Sequence, residues 1–293
     1  MAEDTEILGP TSHYFYSQRL KLHYVDWGNP DKAPLLLLHG GRDHCRSWDW
    51  VAADLRRSFH VIAPDLRGHG DSAWAIGSTY SMIDYVLDAA ALLKTVGLFP
   101  ITIIGHSLGA RVALQYAGLY PERVVRLVAI EGLGPPAGLT KPPSAVSRML
   151  QWLREMQALA RRQPRSYATL DEAVTRMREA NPHLTAEQAR HLTVSGVIRG
   201  EDGTFTWKFD NFVRAVSPYL FNVDEAREIW SQITCPVLLV RGSESWAPDP
   251  EAEGHAAAFR LPQIMTVEGA GHWVHHDQLD VFVSGVRQFL GVS

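Results

Sequence analysis

"ITIIGHSLGARVALQYA", residues 101–117, changes character at its centre. Four residues that favour a strand run into Gly105-His106-Ser107-Leu108-Gly109, and apolar residues at helical spacing follow. The stretch therefore places one serine at the junction of a buried strand and a helix, with a glycine two positions to either side. A sharp strand-to-helix turn exposes such a serine on a strained backbone, and only small residues fit two positions before and after it.

This turn suits Ser107 to act as a nucleophile. A serine hydroxyl reacts only when a neighbouring base takes its proton, so it must be exposed and rigidly held. The amide of Leu108, at the start of the helix, points to where negative charge develops during acyl transfer. A G-x-S-x-G pentapeptide also occurs in turns without chemistry, but here a strand precedes it and a helix follows. We therefore predict Ser107 as nucleophile and Leu108 as one oxyanion-hole amide.

The rest of the chain alternates between predicted strands and helices. An antiparallel hairpin is predicted over 12–28, at an edge of the sheet. Buried strands are predicted at 33–41, 124–132, 235–242 and 264–272, and 60–70 is predicted as a strand with its exit loop. Helices are predicted at 47–57 and 81–96 and after each of the last two strands. Alternation at these lengths predicts a parallel sheet covered by helices on both faces.

Residues 134–232 do not continue this alternation of strands and helices. The proline-rich "GPPAGLTKPPS" (134–144) opens the segment, and helical patterns follow at 146–163, 170–180 and 185–195 with no buried strand. We expect a helical cap domain over 134–232, lying on the carboxyl edge of the sheet. The core domain then comprises 1–133 and 233–293.

Composition excludes several classes of function. The 293 residues carry a net charge of −4, so no basic surface suggests a nucleic-acid partner. The acidic start resembles no signal peptide, and no apolar run is long enough to span a membrane. Cys45 and Cys235 share no motif and are expected to be reduced, packed thiols. These features favour a cytoplasmic protein without a membrane partner.

Four motifs identify a family. "LLLLHGG" (35–41), "DLRGHGDS" (65–72), "GHSLGA" (105–110) and "GAGHWVHH" (269–276) occur together in one order. With them the chain resembles the α/β-hydrolase fold superfamily, in its capped esterase, epoxide hydrolase and haloalkane dehalogenase branch, over roughly residues 15–290. The resemblance implies a mostly parallel eight-stranded sheet with helices on both faces and a helical cap inserted after the sixth strand.

The resemblance also assigns partners to Ser107. It places the catalytic base at His272, after the last strand, and the second oxyanion-hole amide at Gly41. His39 is expected to be a hydrogen-bonded structural histidine, and Asp65 to shape a tight loop without taking part in the chemistry.

A metal site at His272, His275 and His276 is the competing interpretation of the histidine-rich stretch. No carboxylate or cysteine at matching spacing supports it, and His275 and His276 fit the helix that follows. We therefore expect no metal, and the chemistry requires no organic cofactor.

The third catalytic residue is ambiguous. The position most often used in the family, three residues after Gly242, holds Ser245, which cannot carry the required charge. Glu244 is one residue away. Part of the family instead uses a position about 24 residues beyond the nucleophile, where this chain has Glu131. We take Glu131 as the acid and Glu244 as the alternative.

A serine nucleophile argues against epoxide hydrolase and dehalogenase chemistry, which needs a carboxylate nucleophile. We expect a serine hydrolase that cleaves carboxylic esters of small to medium apolar or aromatic character through an acyl-enzyme. Hydrolysis of a lactone or of a carbon–carbon bond in an aromatic degradation product is an alternative. A second alternative is a non-catalytic receptor that binds a small molecule. A third is a hydroxynitrile lyase or a cofactor-free oxygenase, which would use the same residues differently.

Four side chains are candidates for the substrate pocket: Arg42, Trp152, Trp246 and Trp273. The tryptophans favour an apolar or aromatic ligand. Arg42 follows the expected oxyanion hole and could bind a substrate carboxylate, but pairing with Asp43 or another loop carboxylate is the favoured interpretation. The expected partner is a small ester-like molecule, and the chain is expected to be a monomer or a homodimer.

Overall fold

In a computed structural model, which describes residues 9–77, 80–134, 143–215, 217–219 and 221–292, eight strands form one sheet. Their order across the sheet is β1-β2-β4-β3-β5-β6-β10-β11. The strands are β1 (Thr11–Ser17), β2 (Leu20–Asp26), β3 (Ala33–Leu38), β4 (Phe59–Pro64), β5 (Ile101–His106), β6 (Val124–Ile130), β10 (Val237–Gly242) and β11 (Pro262–Val267).

The predicted edge hairpin is present. Strands β1 and β2 pair antiparallel, and β2 also pairs antiparallel with β4. Gln18 and Arg19 join the hairpin with φ angles of 45° and 69°, the mirror-image turn that matches the twist of two paired strands. All other neighbours in this sheet are parallel, so the mostly parallel eight-stranded sheet is confirmed.

Helices cover both faces of the sheet. Helices α2 (Met82–Val96) and α3 (Leu108–Leu119) share one apolar core. Helices α1 (Asp49–Leu55), α8 (Val274–Asp277) and α9 (Leu279–Leu290) share the other. Strands β4 and β5 are buried along their whole length, as expected for a sheet packed on both sides. At the start of α2, the Ser81 side chain accepts a hydrogen bond from the Asp84 amide at 3.3 Å, the predicted N-cap.

Two predictions at the end of the sheet are wrong. No α-helix lies between β10 and β11, where the described chain forms turns and a 3₁₀ helix, Ala256–Ala258. Strand β11 is the outermost strand and pairs only with β10, so most of its residues are partly or fully exposed rather than buried.

The segment between β6 and β10 is mainly helical. It contains α4 (Ala145–Arg161), α5 (Leu170–Ala180) and α6 (Ala186–Gly196), close to the three predicted helices. A fourth helix, α7 (Val223–Ser231), was not predicted. Helix α7 packs on α3 and buries Trp230 in the core of the sheet. Residues 135–142 of the proline-rich opening lie outside the described residues.

A small sheet in this segment was not predicted. Strands β7 (Ser166–Tyr167), β8 (Val197–Arg199) and β9 (Phe205–Trp207) pair antiparallel in the order β7-β9-β8. The strands are only two or three residues long and bury just Tyr167 and Val197, so no apolar run or alternation marks them in the sequence.

Several hydrogen bonds hold the segment against the main domain, and three of them reach the chain beyond β3, β4 and β11. The Asp210 amide donates to the Gly68 carbonyl at 2.9 Å, beyond β4. His44, in the loop after β3, lies 2.9 Å through Nε2 from the Leu192 carbonyl. Gln188 donates through Nε2 to the carbonyl of His276, beyond β11, at 2.9 Å.

The two cysteines are free and buried, as predicted. Burial raises the pKa of Cys45 well above its usual value and that of Cys235 to about 11, so both stay thiols at neutral pH. Within the described ranges, no helix has the length and apolar character needed to cross a membrane.

Candidate active site

Ser107 occupies the turn between β5 and α3. Its φ and ψ are 50° and −109°, a conformation that costs a non-glycine residue free energy. The Ser107 amide donates to the Ile130 carbonyl at 2.8 Å, which ties the turn to the end of β6. The hydrogen bonding of the parallel strands β5 and β6 therefore continues to Ser107 and holds it in this strained conformation.

Gly105 and Gly109, on either side of Ser107, let main-chain segments come close to each other at this turn. A Cβ atom on Gly105 would lie 2.5 Å from the carbonyl oxygen of Gly109, and one on Gly109 would lie 2.2 Å from that of Leu38. Both obstacles are main chain and cannot move aside as a flexible side chain would. The prediction that only the smallest residues fit here is confirmed.

Glu131 and His272 meet beside this turn. Glu131 follows β6 with a φ of 57°, and its amide donates to the Val240 carbonyl at 3.0 Å. Its side chain is fully buried, with Oε2 at 3.0 Å from His272 Nδ1. The Gly242 amide donates to Oε1 at 2.7 Å, and the Ser245 hydroxyl donates to Oε2. A buried carboxylate with these donors fits an anion that orients an imidazole.

Glu244, the alternative acid, points elsewhere. Its side chain is 57% exposed, and its carboxylate lies 3.7 Å from His183 Nε2. Ser245, at the family's commoner acid position, instead donates its hydroxyl to Glu131. The structure thus brings His272 together with Glu131, and Glu244 with His183.

His272 is held through its ring by two neighbours and through its main chain by a third. Because Nδ1 faces the Glu131 carboxylate, Nε2 is the nitrogen left to accept a proton. Trp246 stacks on the ring with centroids 4.7 Å apart, and its own side chain is 61% exposed. His106 Nε2 donates to the His272 carbonyl at 2.8 Å, which connects the residue before Ser107 to the loop of the base.

Sequence reasoning gave His106 no role. Burial, followed by the charge of His272, lowers the pKa of His106 well below its usual value, so the ring is neutral. A neutral ring that donates through Nε2 acts here as a fixed link between two loops. The sequence feature that could have indicated this role is the position of His106 directly before Ser107.

The loop after β3 passes over Ser107. A Cβ on Gly40 would lie 3.5 Å from the Ser107 Cβ, so the two main chains are close. His39 holds this loop: Nε2 accepts from the Leu66 amide at 2.9 Å, and Nδ1 donates to the Gly40 carbonyl at 2.7 Å. Burial lowers the pKa of His39 to about 3, which agrees with the predicted structural role.

The two expected oxyanion-hole amides lie at this junction. Leu108 is the first residue of α3, where an amide has no acceptor within its own helix. Gly41 follows Gly40 in the loop over Ser107 and is exposed. Both positions suit donors to a developing oxyanion, and the assignment stays a prediction.

Asp65 supports a loop, as predicted. It accepts hydrogen bonds from the Cys45 amide at 2.7 Å, the Asp71 amide at 2.9 Å and His23 Nδ1 at 2.7 Å. Burial acts to raise the pKa of Asp65, but the His23 bond and other hydrogen bonds and charges outweigh it and hold the pKa below its usual range. A Cβ on Gly70 would lie 2.2 Å from the Asp65 carboxyl carbon, so the loop closes tightly around this side chain.

His23, Cys45 and Asp65 offer donor atoms within 4.8 Å of one another. These atoms already contact each other, and Asp65 also accepts from loop amides. Burial raises the pKa of Cys45, which disfavours the thiolate that a metal would require. The cluster is therefore best described as a hydrogen-bonded loop support.

The remaining pocket candidates differ in position. Trp246 contacts His272, whereas Trp273 contacts the His276 ring at 5.3 Å. Trp152 lies half-buried on α4, and no ring contact joins it to His272 in the described part of the chain. Arg42 is exposed and forms no ion pair within the described ranges, so the favoured pairing with Asp43 or another loop carboxylate is wrong.

The sequence model of the alpha/beta hydrolase fold family matches residues 33–279, which contain this whole site. The chain belongs to the alpha/beta hydrolase fold family. An esterase of Mycobacterium tuberculosis is 27% identical to this hydrolase over 99% of the chain and 93% of its own length. A serine hydrolase-like protein of Danio rerio is 25% identical over 90% of the chain and 83% of its own length.

Solved structures share the fold of this hydrolase. The thioesterase domain from the curacin biosynthetic pathway superposes with a TM-score of 0.85, at 24% identity, and covers 96% of this chain and 100% of its own. Together with the sequence relatives, this likeness covers the main sheet and the segment inserted after β6.

Proposed function

We propose that this hydrolase cleaves carboxylic esters of small to medium apolar or aromatic character, with Ser107 as nucleophile, His272 as base and Glu131 as acid. The observation that carries the proposal is the 3.0 Å contact between the buried Glu131 carboxylate and His272 Nδ1, next to the strained turn of Ser107. The esterase and serine hydrolase-like relatives support the same class of reaction.

The proposed reaction has two halves. The Ser107 hydroxyl attacks the ester carbonyl while His272 Nε2 takes its proton, and the Gly41 and Leu108 amides stabilise the oxyanion. The imidazolium, held by Glu131, then gives its proton to the departing alcohol. Water attacks the acyl-enzyme by the same route in reverse, which releases the acid and restores Ser107.

We also propose that residues 134–232 act as a cap domain on a core of 1–133 and 233–293. The hydrogen bonds from this segment to the loops after β3, β4 and β11 support this division. The substrate would then lie between the segment and Ser107, against the exposed face of Trp246, with Trp152, Trp273 and Arg42 as further lining candidates.

Ester hydrolysis by wild type and Ser107→Ala tests the proposal. We expect wild type to release p-nitrophenolate from the acetate, butyrate or octanoate ester, and Ser107→Ala to fall to background. A fluorophosphonate should label wild type at Ser107. Labelling without turnover of any ester would favour a lactone or carbon–carbon bond as substrate, whereas no labelling would favour a receptor and contradict the proposal.

A further inference from the structure

The loop that follows β10 lies between the proposed acid and the proposed base. Its Ser245 hydroxyl donates to the Glu131 carboxylate. Its Glu244 amide donates to the Ala270 carbonyl at 3.0 Å, two residues before His272. The loop is therefore fixed against the acid on one side and against the chain of the base on the other.

Trp246 continues this loop. The next residue, Ala247, is buried, and its amide donates to the Ser245 hydroxyl oxygen at 3.1 Å, so the main chain is held on both sides of Trp246. All nine tryptophans lie in the described ranges, and only Trp74 and Trp246 have exposed side chains. The indole of Trp246 belongs to neither apolar core of the sheet, so interior packing does not account for its position.

The contact with the His272 ring does account for it. The indole and imidazole planes are 29° apart and their centroids are 4.7 Å apart, which is a stacked arrangement. Glu131 instead contacts the edge of the imidazole, through Nδ1. Because Trp246 covers a face of the ring, it leaves Nε2 free to exchange a proton with Ser107.

The stack acts differently on the two protonation states of His272. An aromatic face attracts a cation more strongly than it attracts a neutral ring. His272 becomes a cation when Nε2 takes the proton of Ser107, and again when it takes a proton from water. The stack therefore stabilises the charged ring of each transition state more than the neutral resting ring, and only such a difference raises the rate.

We infer that Trp246 is a positioning residue for His272: it orients the imidazole and stabilises its protonated form in both halves of the reaction. The inference rests on the proposed function and adds to it a contact that acts on the base rather than on the substrate. Trp246 and Glu131 then share the stabilisation of the imidazolium, Trp246 from the face of the ring and Glu131 from its edge.

Other titratable groups lie around His272 on the elements packed against its loop: Glu131, His106, His183, Glu244, His275 and Asp277. Burial lowers the pKa of both His106 and His275 well below its usual value, so these two rings are neutral. Asp277 accepts from the Gly271 amide at 2.8 Å, and Glu244 faces His183. A substitution at Trp246 removes none of these groups, so a difference between Trp246 variants reports the effect of the indole.

Leucine and phenylalanine at position 246 separate an aromatic face from simple coverage of the ring. Trp246→Leu keeps an apolar side chain but loses the π face, so kcat/KM for p-nitrophenyl acetate at pH 8 should fall about two- to fivefold. The acid side of its pH profile should also move to lower pH, by about 0.4 to 0.7, because the imidazolium is less stable. Trp246→Phe should stay within about twofold of wild type, with the larger part of the pH effect retained.

Trp74→Leu is the matched control, because it removes the other exposed tryptophan, and it should leave the rate and the pH profile unchanged. A purely structural effect of Trp246→Leu would lower the rate equally at every pH. A contact of Trp246 with the substrate alone would lower kcat/KM for p-nitrophenyl octanoate more than for the acetate. Either result, with the acid side of the profile unmoved, would overturn the inference.

Titration of His272 without substrate distinguishes this inference from the proposed function. In protein labelled with ¹⁵N-histidine, the ring signals of His272 are those that the His272→Gln variant lacks. We expect their titration midpoint to be lower in Trp246→Leu than in wild type by about 0.4 to 0.7, whether or not any ester is hydrolysed. If no ester is hydrolysed and this difference is found, the proposed function fails and the effect of Trp246 on the imidazole stands. Equal midpoints in the two proteins would refute the inference.

Discussion

Replacing Glu131 by glutamine changes the proton positions of the proposed triad without changing its shape. The carboxylate accepts three hydrogen bonds, from the Gly242 amide, the Ser245 hydroxyl and His272 Nδ1. A glutamine that keeps its oxygen toward Gly242 turns its NH₂ group toward His272. The imidazole then has to accept at Nδ1 and carry its proton on Nε2, the atom that should take the proton of Ser107.

The size of the effect follows from two losses. The wrong tautomer predominates in the ground state, and no buried anion 3.0 Å away stabilises the imidazolium in the transition state. Together we expect Glu131→Gln to lower kcat by about 10³- to 10⁴-fold, as for a triad that holds its geometry but not its tautomer. This corresponds to about 4 to 5.5 kcal/mol in the activation free energy.

The assay is kcat for p-nitrophenyl butyrate between pH 6 and 9, with unfolding in urea measured on the same samples. Glu244→Gln is the matched control, because Glu244 is exposed and faces His183. We expect Glu244→Gln to stay within about twofold of wild type, as for other exposed side chains. A Glu131→Gln enzyme within tenfold of wild type, or an equal loss in both variants, would refute the assignment of the acid.

Three further perturbations have outcomes fixed by the same geometry. Ser245→Ala removes one donor to the Glu131 carboxylate, so kcat should fall about fivefold, the value of one lost hydrogen bond; an unchanged kcat would show that this donor has no effect on the acid. Gly109→Ala should lower the free energy of unfolding by about 3 kcal/mol or more because its Cβ meets main chain, whereas Gly41→Ala, with open space around it, should fold as wild type in the same urea titration. Burial holds the pKa of His276 at about 3, so this ring stays neutral in the fold while the unfolded chain takes up a proton below pH 6.5. Its contribution to stability is present above pH 6.5 and declines by about 1.4 kcal/mol between pH 7.5 and 5.5, a decline that His276→Phe should remove; equal pH dependence of unfolding in the two proteins would contradict this.

The central sheet could be predicted because its signals are local. Continuous apolar runs ending in glycine mark β3 and β5, and the Ser107 turn shows both its strand and its helix within 17 residues. The small sheet of the inserted segment has no such signal, since its strands are two or three residues long and bury only one residue each at most. A strand of five or six buried residues leaves a recognisable apolar pattern in the sequence, whereas a strand with one or two buried residues does not.

The choice of acid could not be made from the sequence alone. Glu131 and the Gly242 amide that it accepts from are 111 positions apart, and Ser245 is 114 positions away. The contact exists only because β6 and β10 are neighbours in the sheet.

Ser107 and Glu131 both have positive φ angles, and both lie directly beyond the carboxyl ends of adjacent strands. Each is nevertheless bonded like one more rung of the sheet, Ser107 to the Ile130 carbonyl and Glu131 to that of Val240. If either residue moved to an unstrained backbone conformation, its hydrogen bond to the neighbouring strand would break. We therefore expect these two residues to keep their conformations while the sheet stays intact. We expect the amide protons of these two residues to exchange with solvent only through global unfolding, so the proposed catalytic arrangement should persist for as long as the fold itself.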